Sequence, residues 1–428
     1  MFYIIERSSQ LPTNFEDCFV RFIPKSNNFH PALTDLSLVY IRPLNHRKGY
    51  IICLDHNESF GIDKTEVINW LLNNTNRLWV LNKKEAMHWV YPLKDKLFDV
   101  NFIEYIDTSN VGTKCVDFYY SKYVNLSNIN CLIPISKHYE ESEALFEIIS
   151  PIIKNPITLQ FEFQNTRTTE VFYQIEKNGI NLNKKCFIEH YKEKMHYPEF
   201  NISKGRIYTQ YNLYTTTTRP SNTFNNVNFA ALNKDNGERT CYKPEFDKFI
   251  ELDFQGYHPR LIGELVEWHF PNDTNTYEIL GQSLNVSPQE AKELTFKQLY
   301  GGVWSEYQDK PFFKQVNMFI DNMWDIYQYD NSYTTANKIF KRNDENITRN
   351  KLFNYIIQSY ETSNNIQLLE QVLDYLKDKK TKLVLYTYDA FLFDYNKEDG
   401  AIFTEISKIL EYPVSIKQGT SYHGLTKI

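Results

Sequence analysis

Two aspartates stand inside apolar, strand-like runs: Asp253 in FIELDF (249–254) and Asp389 in VLYTYDAFLFDY (384–395). A carboxylate in such surroundings is costly unless it is paired, hydrogen-bonded or bound to a cation. One aspartate at a strand end reads as a satisfied cap. Two, on strands able to pair in one sheet, form the acidic half of a two-metal phosphoryl-transfer site.

Between them lies a helix with its own start signal. Ser287-Pro288-Gln289-Glu290 supplies an N-cap, a proline at the first helical position and a glutamate three residues after the cap. Lys292, Phe296 and Tyr300 then fall at i, i+4 and i+8, on one stripe. Taken alone, the stripe is a snorkelling lysine above two core aromatics. Flanked by the aspartates, it reads as a helix offering a cation to a triphosphate and ring faces to a sugar and a base.

Composition narrows the class. The chain has 428 residues, enough at roughly 100–200 residues per domain for two to four domains. Lys+Arg 47 against Asp+Glu 53 gives −6, which excludes a globally basic nucleic-acid coat but not a local basic groove. No apolar run approaches the ~18 residues of a spanning helix, and Glu6 and Arg7 interrupt any signal-peptide core. The six cysteines (Cys18, Cys53, Cys115, Cys131, Cys186, Cys241) form no CxxC pair, which argues against zinc and for a reduced, cytoplasmic chain. Abundant Asn, Ile, Lys, Tyr and Phe point to an AT-rich genome, such as that of a virus, so the compartment would then be a host cytoplasm.

Along the chain, residues 1–150 have α/β texture. Strand-like runs at 36–44 and 49–56 flank the polar turn Asn45–Lys48, helical spacing covers Lys64 to Leu72, and RLWVL (77–81) is another strand. Residues 151–205 are mostly helical by pattern. In 206–428 the spacing predicts a strand at 249–254, helices at 258–268, 287–300 and 349–377, and a strand pair or bent strand at 384–395.

The order of motifs over about 167–428 resembles the polymerase module of family A DNA polymerases. VFYQIEKNGINLNKKCF (171–187) is similar to the family's entry into the thumb, through Glu176, Gly179 and Ile180. TTTTRPSNTFNNVNF (215–229) resembles a segment that touches primer and template, with Arg219, Ser221, Asn226 and Asn228 on its polar positions. LDFQGYHPR resembles motif A, AKELTFKQLYGG (291–302) motif B and YTYDAF motif C. FNYIIQSYET (353–362) resembles a helix whose Asn354 and Gln358 would read the minor groove.

The resemblance implies a right-hand α+β and α/β polymerase. Its palm and fingers would occupy 211–428 (fingers about 270–345), a reduced thumb and connection 151–210, and an exonuclease-like α/β domain 1–150. It implies Asp253 and Asp389 as catalytic ligands of two Mg²⁺ ions, with Mn²⁺ as a substitute. Lys292, Phe296, Tyr300, His258, Tyr277 and Phe254 would bind dNTP. Arg219, Asn226, Asn228, Arg260, Asn354, Gln358 and Tyr388 would bind primer–template DNA. The partners it implies are primer–template DNA, dNTPs and a processivity or replisome protein, with no membrane.

Four features depart from the family pattern. Ala390 stands where motif C carries a Glu, Pro288 where an Arg contacts the triphosphate, and His258 where motif A carries a Glu. The stretch from Gly179 to Arg219 is short for a thumb. In 1–150, Asn82 and Tyr139 match exonuclease fragments, but Ala86 and Glu143 replace aspartates and no Asp-x-Glu is visible near FVRFIP (19–24), so that domain is expected to be inactive. Basic residues Lys338, Lys341, Arg342, Arg349 and Lys351, and the run 376–382, are candidate phosphate contacts. Three alternatives stay open: an RNA-synthesising or primase-like enzyme of the same palm class, a non-catalytic DNA-binding polymerase remnant, and a working nuclease at the N-terminus.

Overall fold

The computed structural model describes residues 3–13, 15–27, 29–54, 61–107, 133–191, 202–203, 205–224, 227–233, 237–342 and 347–428. Asn226, Cys115 and Cys131 lie outside the described residues. The chain forms two compact units: one of residues within 1–106, 111–177 and 198–210, the other of residues within 107–110, 178–197 and 211–428.

The first unit is built on a six-stranded mixed sheet. Its strands are β1 (Tyr3–Ile5), β2 (Asp17–Pro24), β3 (Leu36–Pro43), β4 (Tyr50–Cys53), β5 (Arg77–Val80) and β6 (Leu97–Asp99), in the order β1-β4-β3-β2-β5-β6. The β2, β3 and β4 strands pair antiparallel, and β5 and β6 add parallel to β2. Alternation sends Cys18, Val20 and Phe22 into a core shared with Leu71, Met87 and Val90 of helices Lys64–Asn74 and Lys83–Val90. The opposite face carries Phe19 and Arg21 against Phe146 and Glu141 of helix Ile135–Ile149. Both faces are thus covered, which explains the near-continuous apolar strands.

The second unit centres on a five-stranded antiparallel sheet. Its strand order is Lys382–Thr387, Ala390–Tyr395, Lys248–Phe254, Val414–Gly419, Thr426–Lys427. Helices Tyr257–Leu265, Thr276–Leu284, Pro288–Gly301, Pro311–Asp330 and the first turns of Arg349–Tyr375 share one core, in which Ile262, Leu280, Leu299, Val316, Ile320 and Leu352 are buried. The capping box forms as the sequence predicts: the Ser287 hydroxyl accepts from the Glu290 N–H, and the Ser287 N–H donates to Glu290 Oε2. The predicted strand pair is a hairpin, with Asp389 in its turn. Among the described residues no helix is long and apolar enough to cross a membrane.

Candidate active site

The central strand Lys248–Phe254 places Asp253 opposite Ala390, so Asp389 follows immediately in the adjoining turn. The Phe254 N–H donates to the Asp389 carbonyl at 2.9 Å, which locks the turn to the strand end. Asp389 reaches solvent at the hairpin tip, yet surrounding protein partly desolvates it. That burial, then the charges of Asp253 and Glu361, raise its carboxyl above the ordinary aspartate range. Two carboxylates that repel one another at adjoining strand ends are the donor set that hard divalent cations require. The residues present therefore fit Mg²⁺. Lys417, on the neighbouring strand, sets its ammonium 2.6 Å from Asp253 Oδ2 and 3.0 Å from Glu251 Oε1, partly neutralising the pair.

After Asp253 the chain must turn at once into a helix. Gly256 does this at φ 60, where a Cβ would lie 2.0 Å from Thr276 Oγ1. The turn delivers His258 to the site on helix Tyr257–Leu265. Its Nδ1 meets the Tyr300 hydroxyl, and its Nε2 lies 3.2 Å from Glu361 Oε1. Phe296 and Tyr300 stand one turn apart with rings nearly parallel (5.8 Å, 9°). Lys292 is exposed, 5.9 Å from the Tyr277 ring. Burial, helped by the Asp389 charge, pushes the Tyr277 phenol up to about 12.

Opposite, Glu361 is fully buried and takes an ion pair from Arg219: Nε to Oε2 at 3.0 Å and Nη2 to Oε1 at 3.2 Å. The Arg219 guanidinium also lies 3.8 Å from the Tyr388 ring centroid. Both backbones here are unusual. Thr218 (φ 62) and Tyr388 (φ 68) occupy the left-handed region, which stores roughly 1–3 kcal/mol each in residues other than glycine. They stand next to Arg219 and Asp389, so the strain falls where the side chains converge.

No family model matches the chain, and no curated protein matches it. Among solved structures, the POL domain of Pol1 from M. smegmatis, in complex with DNA primer-template and dNTP, matches with a TM-score of 0.68 over 95% of this chain and 95% of that one, at 13% identity. The chain has a DNA polymerase fold.

Within that fold the sequence-predicted residues separate. Asp253, Asp389, His258, Phe296, Tyr300, Tyr277, Arg219 and Tyr388 belong to one linked set of contacts and charges, and Lys292 joins it through Tyr277. On helix Arg349–Tyr375, Asn354 donates to the Tyr300 carbonyl at 3.3 Å, and Gln358 accepts from the Thr217 hydroxyl at 2.9 Å. Asn228 is exposed on a short strand paired with Ser221–Phe224.

Two expectations are corrected. Phe254 is not at the site: strand alternation turns it away from Asp253 into the core, 4.1 Å from the Tyr257 ring. The Arg260 guanidinium is turned inward. The residue is 5% exposed, and its guanidinium donates to the carbonyls of Gln255, Phe270, Pro271 and Thr274. Among the basic candidates, Lys338 is buried and Arg349 pairs with Asp321. In the 376–382 run, Lys380 and Lys382 pair with Glu398 and Glu245.

Two residues at the site were missed. Glu361 and Asn365 continue the stripe of Asn354 and Gln358 at i+7 and i+11. Asn365 donates to the Tyr388 carbonyl at 3.0 Å and to the Tyr386 hydroxyl at 3.1 Å, holding the hairpin turn to the helix. A buried acid and amide extending a polar stripe was the available signal.

Proposed function

We propose that this chain is a template-directed DNA polymerase that adds dNTPs to a primer 3′ end by two-metal phosphoryl transfer. The observation that carries this reading is the convergence of Asp253 and Asp389 at adjoining strand ends, in a polymerase fold, with Tyr277 and Tyr300 both within the field of the Asp389 charge. The five-stranded sheet is then the palm, and the helices from Thr276 to Asp330 the fingers. Helix Lys184–Tyr191 is the described part of a reduced thumb.

Asp253 and Asp389 would hold two Mg²⁺ ions, which when bound lower the pKa of the primer 3′-hydroxyl and neutralise the leaving pyrophosphate. Every other role falls to side chains. Lys292 draws in the triphosphate. Phe296 and Tyr300 present stacked faces to the sugar and templating base. Asn354 and Gln358 line the minor-groove side, and Arg219, fixed by Glu361, points the Thr215–Arg219 loop at the primer end. Glu251 and Lys417 set the charge around Asp253.

Primer extension with Mg²⁺ and four dNTPs tests the assignment. Asp253→Asn and Asp389→Asn should each lower extension at least about 100-fold, the scale of losing one preorganised electrostatic group, with primer–template binding kept. Near-wild-type extension by either variant removes the site. Binding without extension by the wild-type chain would favour the non-catalytic alternative.

The first unit is proposed to be an exonuclease-like domain without nuclease activity. Its antiparallel β4-β3-β2 with parallel β5 and β6 supports the kinship, and the pairing of its acids, described below, supports the silence.

A further inference from the structure

The second unit gathers Cys186, His190 and Cys241, three residues that no polymerase role uses, with one ligand atom from each lying within 4.8 Å of the others. Sequence spacing hid this cluster, because two ligands come from one helix and the third from a turn more than fifty residues away. Cys186 and His190 are at i and i+4 on helix Lys184–Tyr191, so they share a face. Cys241 ends the 3₁₀ turn Glu238–Cys241.

Backbone contacts hold the turn against the helix start. The Asn183 N–H donates to the Cys241 carbonyl at 2.8 Å, Leu182 bridges Tyr242, and the Lys243 N–H donates to the Asn181 carbonyl at 3.0 Å. The Asn183 side chain also accepts from the Cys186 N–H at 3.2 Å, capping the ligand-bearing turn. Ligand positions are therefore fixed by the fold itself.

The surroundings suit a soft-to-borderline cation. Both thiols are free; Cys241 is fully buried and Cys186 half-buried. Phe187, Tyr191 and Tyr242 form an apolar wall, with Phe187 and Tyr191 stacked at 4.4 Å. The Thr240 hydroxyl lies 3.5 Å from Cys186 Sγ, within reach as an outer partner to a thiolate. Tetrahedral zinc, at about 2.3 Å to sulfur and about 2.0 Å to nitrogen, puts ligand atoms roughly 3.5–3.8 Å apart, so small side-chain rotations close the shell.

The second such cluster, His30, His88 and Glu176, is different. His30 Nδ1 accepts from the Ala32 N–H at 3.1 Å and Nε2 meets the Thr209 carbonyl at 3.0 Å, while the Lys84 ammonium sits on Glu176. That set is committed to strong internal partners, including a cation on its carboxylate, whereas the cysteine set is joined by weak thiol and hydroxyl contacts within itself and to Thr240.

We infer that Cys186, His190 and Cys241 bind one Zn²⁺ ion, with a water in the fourth position on the half-open Cys186 side, and that the ion clips helix Lys184–Tyr191 to the 237–243 segment. Binding converts both thiols to thiolates and releases two protons to solvent, with no redox change. The clip stabilises a helix of eight residues, which is too short to be stable by itself.

The test uses the full chain, purified after complete thiol reduction. Elemental analysis should find one Zn²⁺ per chain that survives Asp253→Asn/Asp389→Asn, which separates it from the proposed catalytic ions. Co²⁺ substitution should give thiolate-to-cobalt charge-transfer absorption and tetrahedral visible bands. Cys186→Ser and Cys241→Ser should lose the ion, Thr240→Val should weaken it within the roughly 10–100-fold of an outer partner, and Cys53→Ser should leave it unchanged. Should the serine variants not fold, Zn²⁺-dependent protection of Cys186 and Cys241 from alkylation in the wild type decides. A cobalt spectrum without a thiolate band, equal alkylation with and without Zn²⁺, or a Cys186–Cys241 disulfide forming in the presence of Zn²⁺ overturns the inference.

Discussion

Both ring nitrogens of His258 face protein groups: Nδ1 hydrogen-bonds the Tyr300 hydroxyl, and Nε2 is buried 3.2 Å from Glu361 Oε1 without hydrogen-bond alignment. With Nδ1 taken by Tyr300 and Nε2 buried beside Glu361, neither nitrogen is open to a 2′-hydroxyl. On the proposed function the residue would act on the incoming sugar by bulk, with the Glu361 carboxylate beside it. His258→Ala should therefore raise rNTP incorporation relative to dNTP incorporation. Glu361→Gln should move the ratio the same way, by freeing the ring and Arg219 without opening space at the sugar. Competing dNTP and rNTP extension measures both; an unchanged ratio in His258→Ala gives ground to the RNA-synthesising reading. Asp389 makes a prediction of opposite sign for stability. Its folded-state pKa is raised, so its contribution is fully present below the unfolded aspartate pKa and is lost as pH rises through the raised value. At neutral pH the ionised Asp389 is thus strained, first by desolvation and then by the Asp253 and Glu361 charges. Asp389→Asn should raise the melting temperature of the metal-free protein at pH 7 while abolishing extension, and Mg²⁺ should raise the melting temperature of the wild type but little that of the variant. Equal melting temperatures without metal would mean that neither desolvation nor the neighbouring carboxylates strain Asp389.

Elements with local signals were legible in the sequence, and those shaped by tertiary contacts were not. The helix Pro288–Gly301 announces both its start and its stripe, and the hairpin around Asp389 shows its alternation. The polar stripe of helix Arg349–Tyr375 was read for only two of its four members, because Glu361 and Asn365 look like ordinary solvent-facing residues until the partner loop covers them. Phe254 and Arg260 failed for the converse reason: proximity in sequence to Asp253 and His258 says nothing about which face a side chain takes. Lys338 is not the exposed cation its sequence suggests, because charge in a sequence carries no burial. Lys338 leads into strand Ile339–Lys341 and is 1% exposed; desolvation lowers its pKa to about 7. Between about 7 and its unfolded value the unfolded chain binds the extra proton, so stability should rise with pH from neutral towards the alkaline lysine range. Lys338→Met should flatten that rise and stabilise the protein at pH 7, as chemical denaturation at pH 7 and pH 9 would show. A wild-type stability that falls between those two pH values would place the ammonium in a charged, paired state instead.

At the scale of the whole molecule, the pairing of acids in the first unit bears on the proposal that it lacks nuclease activity. A two-metal nuclease needs several carboxylates free to face a cation. The strand β2 presents Arg21, which is 3.4 Å from Glu141 and donates to the Ser142 hydroxyl at 3.1 Å. Glu143, the residue matching an exonuclease aspartate, accepts from the Gly49 N–H at 2.7 Å and pairs with Arg42 at 3.5 Å. Asn82 caps helix Lys83–Val90, and Ala86 is buried in the core. Asp99, the buried acid at the end of β6, accepts from the N–H groups of Lys83 and Asn101. Glu141 and Glu143 are thus paired with arginines, and Asp99 is held by the backbone at the start of helix Lys83–Val90. Removing one partner of such buried pairs leaves an uncompensated charge and typically costs about 3–5 kcal/mol, so Arg21→Ala should destabilise the protein without creating a nuclease. A labelled primer with a 3′ mismatch, incubated with the chain and Mg²⁺ or Mn²⁺ but no dNTPs, should remain full length. Steady shortening by the purified wild type, abolished by Glu143→Gln, would show that these acids still hold metal. If the primer stays intact while Arg21→Ala lowers the melting temperature and spares extension by the folded fraction, the first unit serves the molecule as a scaffold.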